Sequence, residues 1–164
     1  MAAAARLAGA CDRLYNQGRA VPWFSLLLEA LALSPSELFE RFAAFLAAHP
    51  DADTTALQVA FFDQCFQGGS EGPVAADLVT YFGRSGALLE ATSEALEAQP
   101  CLASFHHDPQ LLLDLLGSGV TDLVQLASLL PAHPCRARFE REGEEVCLHL
   151  IEADAAGAGG DQHP

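Results

Sequence analysis

The densest group of side chains that could do chemistry is His106-His107-Asp108, with Cys101 five residues before it. Imidazole and thiolate groups are common ligands of zinc and haem iron. However, structural zinc sites need four ligands, and the chain has neither paired cysteines nor an H-E-x-x-H motif. Adjacent histidines in a helix or strand also point in different directions. We therefore expect no metal site and no cofactor, and we interpret Asp108-Pro109 as the start of a capped helix.

A second candidate lies near the C-terminus, where Cys147 and His149 would share one face of a strand, roughly 7 Å apart between their Cα atoms. A nucleophilic thiolate needs a neighbouring base and a third group that orients that base. Arg136 and Arg138 fall on the same predicted face, so a polar, solvated surface explains all four residues. Solvation at a turn likewise explains the acidic run at 142–145. We predict no catalytic residues; an enzyme using Cys147 would show unusually fast alkylation of this thiol at neutral pH.

Composition limits the class of function. The 164 residues carry a net charge of −14, and all eight basic residues are arginine. The absence of lysine excludes a Schiff base and a P-loop lysine. The acidity argues against nucleic acid and anionic membranes as partners, because both are bound through phosphate neutralisation. It is compatible with a basic protein partner.

No apolar run approaches the roughly 20 residues of a membrane span, and the first residues lack the apolar stretch of a signal peptide. Five scattered cysteines without a C-x-x-C motif are typical of reduced, mostly buried thiols. We therefore expect a cytoplasmic protein. The heavy use of Ala, Leu, Gly and Arg is typical of a high-GC, bacterial coding sequence.

The stretch 21–49 is the clearest structural signal, and we predict that it forms two helices at the centre of the fold. Ser34, Pro35 and Glu37 form a capping box that starts the second helix. The first helix is apolar nearly all round, which predicts burial on most sides. A groove for a partner helix is the alternative to an ordinary core. The predicted core consists of Trp23, Leu27, Leu31, Phe42, Phe45, Phe61 and Phe62.

Further helices are predicted from apolar spacing and from capping or breaking residues. One covers residues 1–19, and another begins at Asp53. A glycine-rich loop follows at 67–73; it has no preceding strand and no lysine, so we interpret it as a linker rather than a phosphate loop. Two separate helices then follow, one ending at Gly83 and the other covering 86–98. The last two helices begin near Asp108 and before Leu123.

Alternating apolar residues predict a β-hairpin at about 135–151. With Glu142-Gly143 as the turn, Phe139 faces Val146 and Cys135 faces Leu150, although a longer loop is an alternative. Arg136, Arg138, Cys147 and His149 then occupy the opposite face. Because two isolated strands are marginal in water, the hairpin must pack on the helices or add to another sheet through an open edge.

The sequence thus predicts a mainly α fold: a compact bundle of about six to seven helices with a C-terminal two-stranded β-hairpin. We expect one domain over residues 1–152 and a disordered tail over 153–164. The leading hypothesis is a non-enzymatic acidic interaction module (an adaptor, chaperone or assembly subunit) that uses apolar helical faces and the hairpin edge. Its partner would be another, basic protein or a second copy as a homodimer. The alternative is a small-molecule, metal or haem sensor with an apolar pocket near His106 and His107.

Overall fold

The computed structural model describes residues 2–50, 52–91 and 101–151. Within these ranges the chain forms seven α-helices and one three-stranded antiparallel sheet, which confirms the mainly α class. The helices are α1 (Ala2–Cys11), α2 (Phe24–Leu31), α3 (Pro35–Ala48), α4 (Thr54–Phe66), α5 (Glu71–Glu90), α6 (Pro109–Gly117) and α7 (Leu123–Leu129). The strands are β1 (Cys101–Phe105), β2 (Cys135–Glu142) and β3 (Glu145–Ile151), and a π-helical turn (Asp12–Asn16) follows α1.

The predicted helix starts are confirmed at the level of individual hydrogen bonds. Ser34 and Glu37 form the complete capping box of α3, with Pro35 in its first turn. Asp53 accepts from the backbone N–H of Ala56 at the start of α4. Asp108 caps α6 by accepting from two backbone N–H groups. Each cap satisfies donors that a helix start leaves without a partner, so these boundaries are fixed locally.

The predicted break between Gly83 and Gly86 is wrong, because α5 is one continuous helix of 20 residues. These glycines allow close packing instead of ending the helix. A Cβ atom at Gly83 would lie 2.6 Å from the Thr55 hydroxyl of α4, and one at Gly86 would overlap the Arg19 side chain. Glycine lets α5 approach its neighbours at these points at the expense of helix propensity.

Helix α5, and not the predicted pair α2–α3, is the central element. Its buried positions include Val74, Ala75, Leu78 and Val79. In α2 only Leu26 and Leu27 are buried, so the expectation of a helix covered on most sides is wrong. Of the predicted core, Trp23, Leu27, Phe42, Phe61 and Phe62 are buried, whereas Leu31 and Phe45 are half-buried.

The sheet has three strands, where the sequence predicted two. The additional strand, β1, pairs with β2 in the register Cys101–Phe139 to Phe105–Cys135. The hairpin covers the predicted residues, but its register differs by two: Phe139 faces Leu148 and Ala137 faces Leu150. The turn is Gly143-Glu144, and Gly143 has φ +66°. A glycine with positive φ at the first central position suits the two-residue type II′ turn, which sets this register.

One face of the sheet packs on α5. Ala103, Phe105, Ala137 and Phe139 form a second, smaller hydrophobic cluster, against which Tyr81 and Leu88 of α5 are packed. The ring of Tyr81 lies 5.8 Å from that of Phe139 between centroids. The predicted face assignment of the hairpin is therefore confirmed even though the pairing was not.

Three expectations lie wholly or partly outside the described residues: the tail at 153–164, part of the predicted helix 86–98, and the last residue of the predicted domain 1–152. Among the helices that the structure describes, none combines the length and apolar character needed to cross a membrane.

Candidate functional site

The two histidines singled out in the sequence both contact one buried carboxylate, that of Asp77 in α5. Oδ1 of Asp77 lies 2.9 Å from the backbone nitrogen of His106 and 3.1 Å from its Nδ1. Oδ2 lies 3.0 Å from the backbone nitrogen of His107 and 2.8 Å from its Nδ1. Two backbone N–H groups therefore donate to this carboxylate, and the Nδ1 atoms of both rings lie within hydrogen-bond distance of it.

The divergence expected of adjacent histidines in a helix or strand does not apply, because residues 106 and 107 form a bend between β1 and α6 and belong to neither. Two backbone N–H groups and two imidazole nitrogens converge on Asp77, whose side chain is 1% exposed. This carboxylate therefore anchors the β1–α6 connection to α5. His107 is buried with it, whereas the His106 ring is 58% exposed.

His106 borders a cleft of about 580 Å³ between α4, α5 and β1. Small residues form part of its lining and leave the space open: Ala56, Ala60, Gly72, Ala76 and Ala103. Its rim is polar and includes the hydroxyl groups of Thr55, Thr80 and Ser104. A cleft of this size, lined by both apolar and polar residues, has room for a small molecule.

The rim of this cleft carries positive charge although the protein as a whole has a net charge of −14. Arg84 of α5 and Arg136 of β2 both line it, together with His106 and a single acid, Asp63. Arg84 has one long contact, 3.7 Å, with the exposed Asp53. Arg136 makes no ion pair with any other residue that the structure describes. Two guanidinium groups are therefore available at one opening.

Cys147 and His149 share a face, as predicted, but they do not form a nucleophile–base pair in the described structure. The Nε2 of His149 lies 3.4 Å from a carboxylate oxygen of Glu140. Partial burial raises the pKa of the Cys147 thiol, and the negative charge of Glu142 and other nearby glutamates raises it further. A catalytic thiol needs the opposite shift. All five cysteines lie in the described part of the chain and are free thiols.

Cys135 is the thiol nearest to the Asp77 anchor. Its Sγ lies 3.5 Å from the backbone oxygen of His107. This contact does not involve the imidazole ring. Burial, and then the charges of Asp108 and Asp77, raise the pKa of this thiol. Cys101, which the sequence grouped with the histidines, lies at the far end of β1 and is paired with Phe139.

Among the described residues, the side chains with metal-ligand spacing are Glu140, Glu142 and His149, on the outward face of the hairpin. Glu140 is already engaged by Arg138 at 2.7 Å. These groups are solvated, and exposed acidic residues are common without a bound ion.

Sequence reasoning missed Asp77, Arg84 and the role of Arg136 in the cleft. Asp77 has a detectable signal, because it is the one acid within the apolar stretch from Val74 to Val79. A charged residue on the buried side of a helix requires partners. Arg84 and Arg136 have no such signal, because they line the same cleft only when α5 packs on the sheet.

No protein-family model, curated protein or solved structure matches this chain.

Proposed function

We propose that this protein is a non-enzymatic, cytoplasmic binding protein that takes up a small organic anion in the cleft between α4, α5 and β1. The observation that carries the proposal is the convergence of Arg84, Arg136 and His106 on a 580 Å³ cleft in a strongly acidic chain. The free cysteines support a reducing compartment, where disulfides are rare.

The chemistry of the lining indicates the class of ligand. Guanidinium groups bind carboxylate and phosphate with paired hydrogen bonds. The alanine and glycine residues of the lining leave room for an apolar part of the ligand, which an inorganic ion would not fill. The proposed ligand is therefore a carboxylate or phosphate ester on a compact apolar body.

Two probes and a neutral analogue test this proposal: benzoate, phenyl phosphate and benzamide, measured by calorimetry and by amide chemical shifts. We expect the anions to bind, with shifts at residues around Ala60 and Thr80, and benzamide to bind far more weakly. Arg136→Gln should weaken anion binding about 10- to 100-fold, because one charged hydrogen-bond partner contributes roughly 1.5–3 kcal/mol.

Arg138→Gln is the matched control, because Arg138 lies on the same face of β2 but pairs with Glu140 and does not line the cleft. It should bind the anions as the wild type does. Ala60→Leu, at an exposed position of the lining, should block binding by filling the cleft. Equal affinity of the Arg136 and Arg138 variants, or equal binding of benzamide, would contradict the proposal.

A second candidate is the interaction module (an adaptor, chaperone or assembly subunit), and the outer edge of β3 favours it. In the described part of the chain β3 is paired only with β2, and Leu150 and Ile151 near its end are exposed. A basic protein or a second copy could occupy this edge. Native mass spectrometry of gently purified protein separates the two functions: extra mass of a small molecule supports the cleft, and a second polypeptide supports the edge.

A further inference from the structure

We propose that the occupant of this edge is a second copy of the chain, with the two β3 strands paired antiparallel about a two-fold axis at Leu148. The result is a continuous six-stranded sheet. This inference rests on the second of the functions above, specifies its partner and is independent of the cleft.

The two edges of the sheet differ. The β1 edge lies beside α4 and α5, and residues of β1 line the cleft. β3 is the open edge within the described residues. Proteins usually protect a solvated edge with lysine, proline or an inward-pointing charge. The strand E-V-C-L-H-L-I has none of these, and its one acid, Glu145, is at its start. The edge is therefore suited to pairing.

The sequence of β3 is self-complementary in this arrangement. Antiparallel pairing centred on Leu148 uses all seven residues of the strand. It places Val146 opposite Leu150 of the second copy, and Leu148 opposite Leu148, on the face that packs on α5. On the outward face it places Cys147 opposite His149. Glu145 lies opposite Ile151, so no like charges face each other within these seven pairs, and apolar cross-strand pairs stabilise a sheet.

Within the seven paired residues, the acidic side chains of the two copies are far apart. The two Glu145 residues lie at opposite ends of the pairing, roughly 20 Å apart for six residues at about 3.4 Å each. This separation exceeds the Debye length of about 8 Å at physiological ionic strength. The net charge of −14 per copy acts over longer range. Association should therefore strengthen as salt is added.

Cysteine crosslinking tests the pairing and its register together. Directly opposed residues of antiparallel strands have Cα atoms about 4.5–5.5 Å apart, which suits a disulfide. In His149→Cys, Cys147 of one copy should therefore bond the introduced thiol of the other under mild oxidation. Within a single chain, positions 147 and 149 are two residues apart in one strand, and their Cα atoms are about 7 Å apart. This distance is outside the usual range for a disulfide.

We expect a covalent dimer whose linked peptides join positions 147 and 149, and its loss in His149→Ser and in Cys147→Ser/His149→Cys. A 147–147 link in the wild type would overturn the register. Absence of the 147–149 link, in protein that sediments as a monomer up to about 0.5 mM, would overturn the pairing.

A second pair of variants avoids the thiols. Leu150→Glu places a charge at the 45% exposed edge and should weaken dimerisation at least tenfold in sedimentation. Val124→Glu introduces the same charge at a 55% exposed position of α7 and should leave the dimer intact. Thermal melting of both variants as monomers checks that folding is unchanged. Equal dimerisation of the two variants would overturn the proposal, and anion binding in the cleft is measured separately.

Discussion

At the scale of single residues, Asp77 connects helix α5 to the bend between β1 and α6. It is 1% exposed, accepts hydrogen bonds from two backbone N–H groups and contacts the Nδ1 atoms of two imidazoles. A buried carboxylate is tolerated only where such partners surround it. The same contacts set the position of His106 at the cleft.

Removing this carboxylate should be strongly destabilising. In Asp77→Ala the backbone N–H groups of residues 106 and 107 lose their acceptor, and each unsatisfied buried donor costs about 1–3 kcal/mol. We expect the free energy of unfolding in urea to fall by at least about 2 kcal/mol. His106→Ala is the control, because its exposed ring supplies only one of the four contacts. Equal stability of the two variants would refute the anchoring role.

At the scale of elements, α5 is continuous because its glycines are contact points. Alanine at an unconstrained helical glycine stabilises by about 0.5–1 kcal/mol, and Gly9 of α1, with no atom within 4 Å of a built Cβ, should behave in this way. Gly83→Ala should instead lower the melting temperature, because its Cβ would meet the Thr55 hydroxyl at 2.6 Å.

A double-mutant cycle isolates that contact. Thr55→Ala removes the clashing hydroxyl, so Gly83→Ala should be tolerated better in the Thr55→Ala background than in the wild type. Additive effects of the two substitutions would show that the α4–α5 contact is not the reason for a glycine at position 83.

These elements also show what sequence reasoning can reach. The caps at Ser34, Asp53 and Asp108 depend on residues within one turn, and they were predicted correctly. Strand β1 was missed because its five residues, C-L-A-S-F, carry little pattern, and its partner β2 lies some 30 residues away. The predicted hairpin register is wrong because a turn at Glu142-Gly143 and a turn at Gly143-Glu144 place the same residues on the same faces.

The candidate site was predicted less well than the fold. The sequence identified the two histidines but not what they contact, because Asp77 is on another element 29 and 30 positions earlier. The alternation of residues places Arg136 on the solvated outer face of the hairpin. This placement is correct for its strand but does not include the neighbouring helix α5. A cleft is a property of packing between elements, and no local pattern encodes it.

At the scale of the whole molecule, the lowered pKa values of two acidic side chains predict how the free energy of unfolding depends on pH. Hydrogen bonds from the Ser34 hydroxyl and then from its backbone N–H lower the pKa of Glu37. Hydrogen bonds from Asn16 and Gln17 lower that of Asp12. A carboxyl group whose pKa is lowered in the folded state stabilises the fold at pH values above its ordinary pKa. This stabilisation is lost as the pH falls through the lowered pKa.

Glu37→Gln tests this dependence, since glutamine keeps the capping geometry without the charge. The variant should melt below the wild type at pH 7, and the difference should shrink as the pH falls below about 4. Glu40→Gln, on the exposed face of α3 outside the capping box, should show a smaller difference that changes less with pH. A Glu37 difference that stays constant down to pH 3 would contradict the linkage.

Helix α5 belongs to both hydrophobic clusters: its first half packs into the helical core, and Tyr81 and Leu88 of its second half pack under the sheet. The same helix supplies Thr80 and Arg84 to the cleft. Cleft and sheet edge are therefore joined through one rigid element. If an anion bound at Arg84 favours pairing of β3 by some free energy, pairing strengthens anion binding by the same amount, because such coupling is reciprocal.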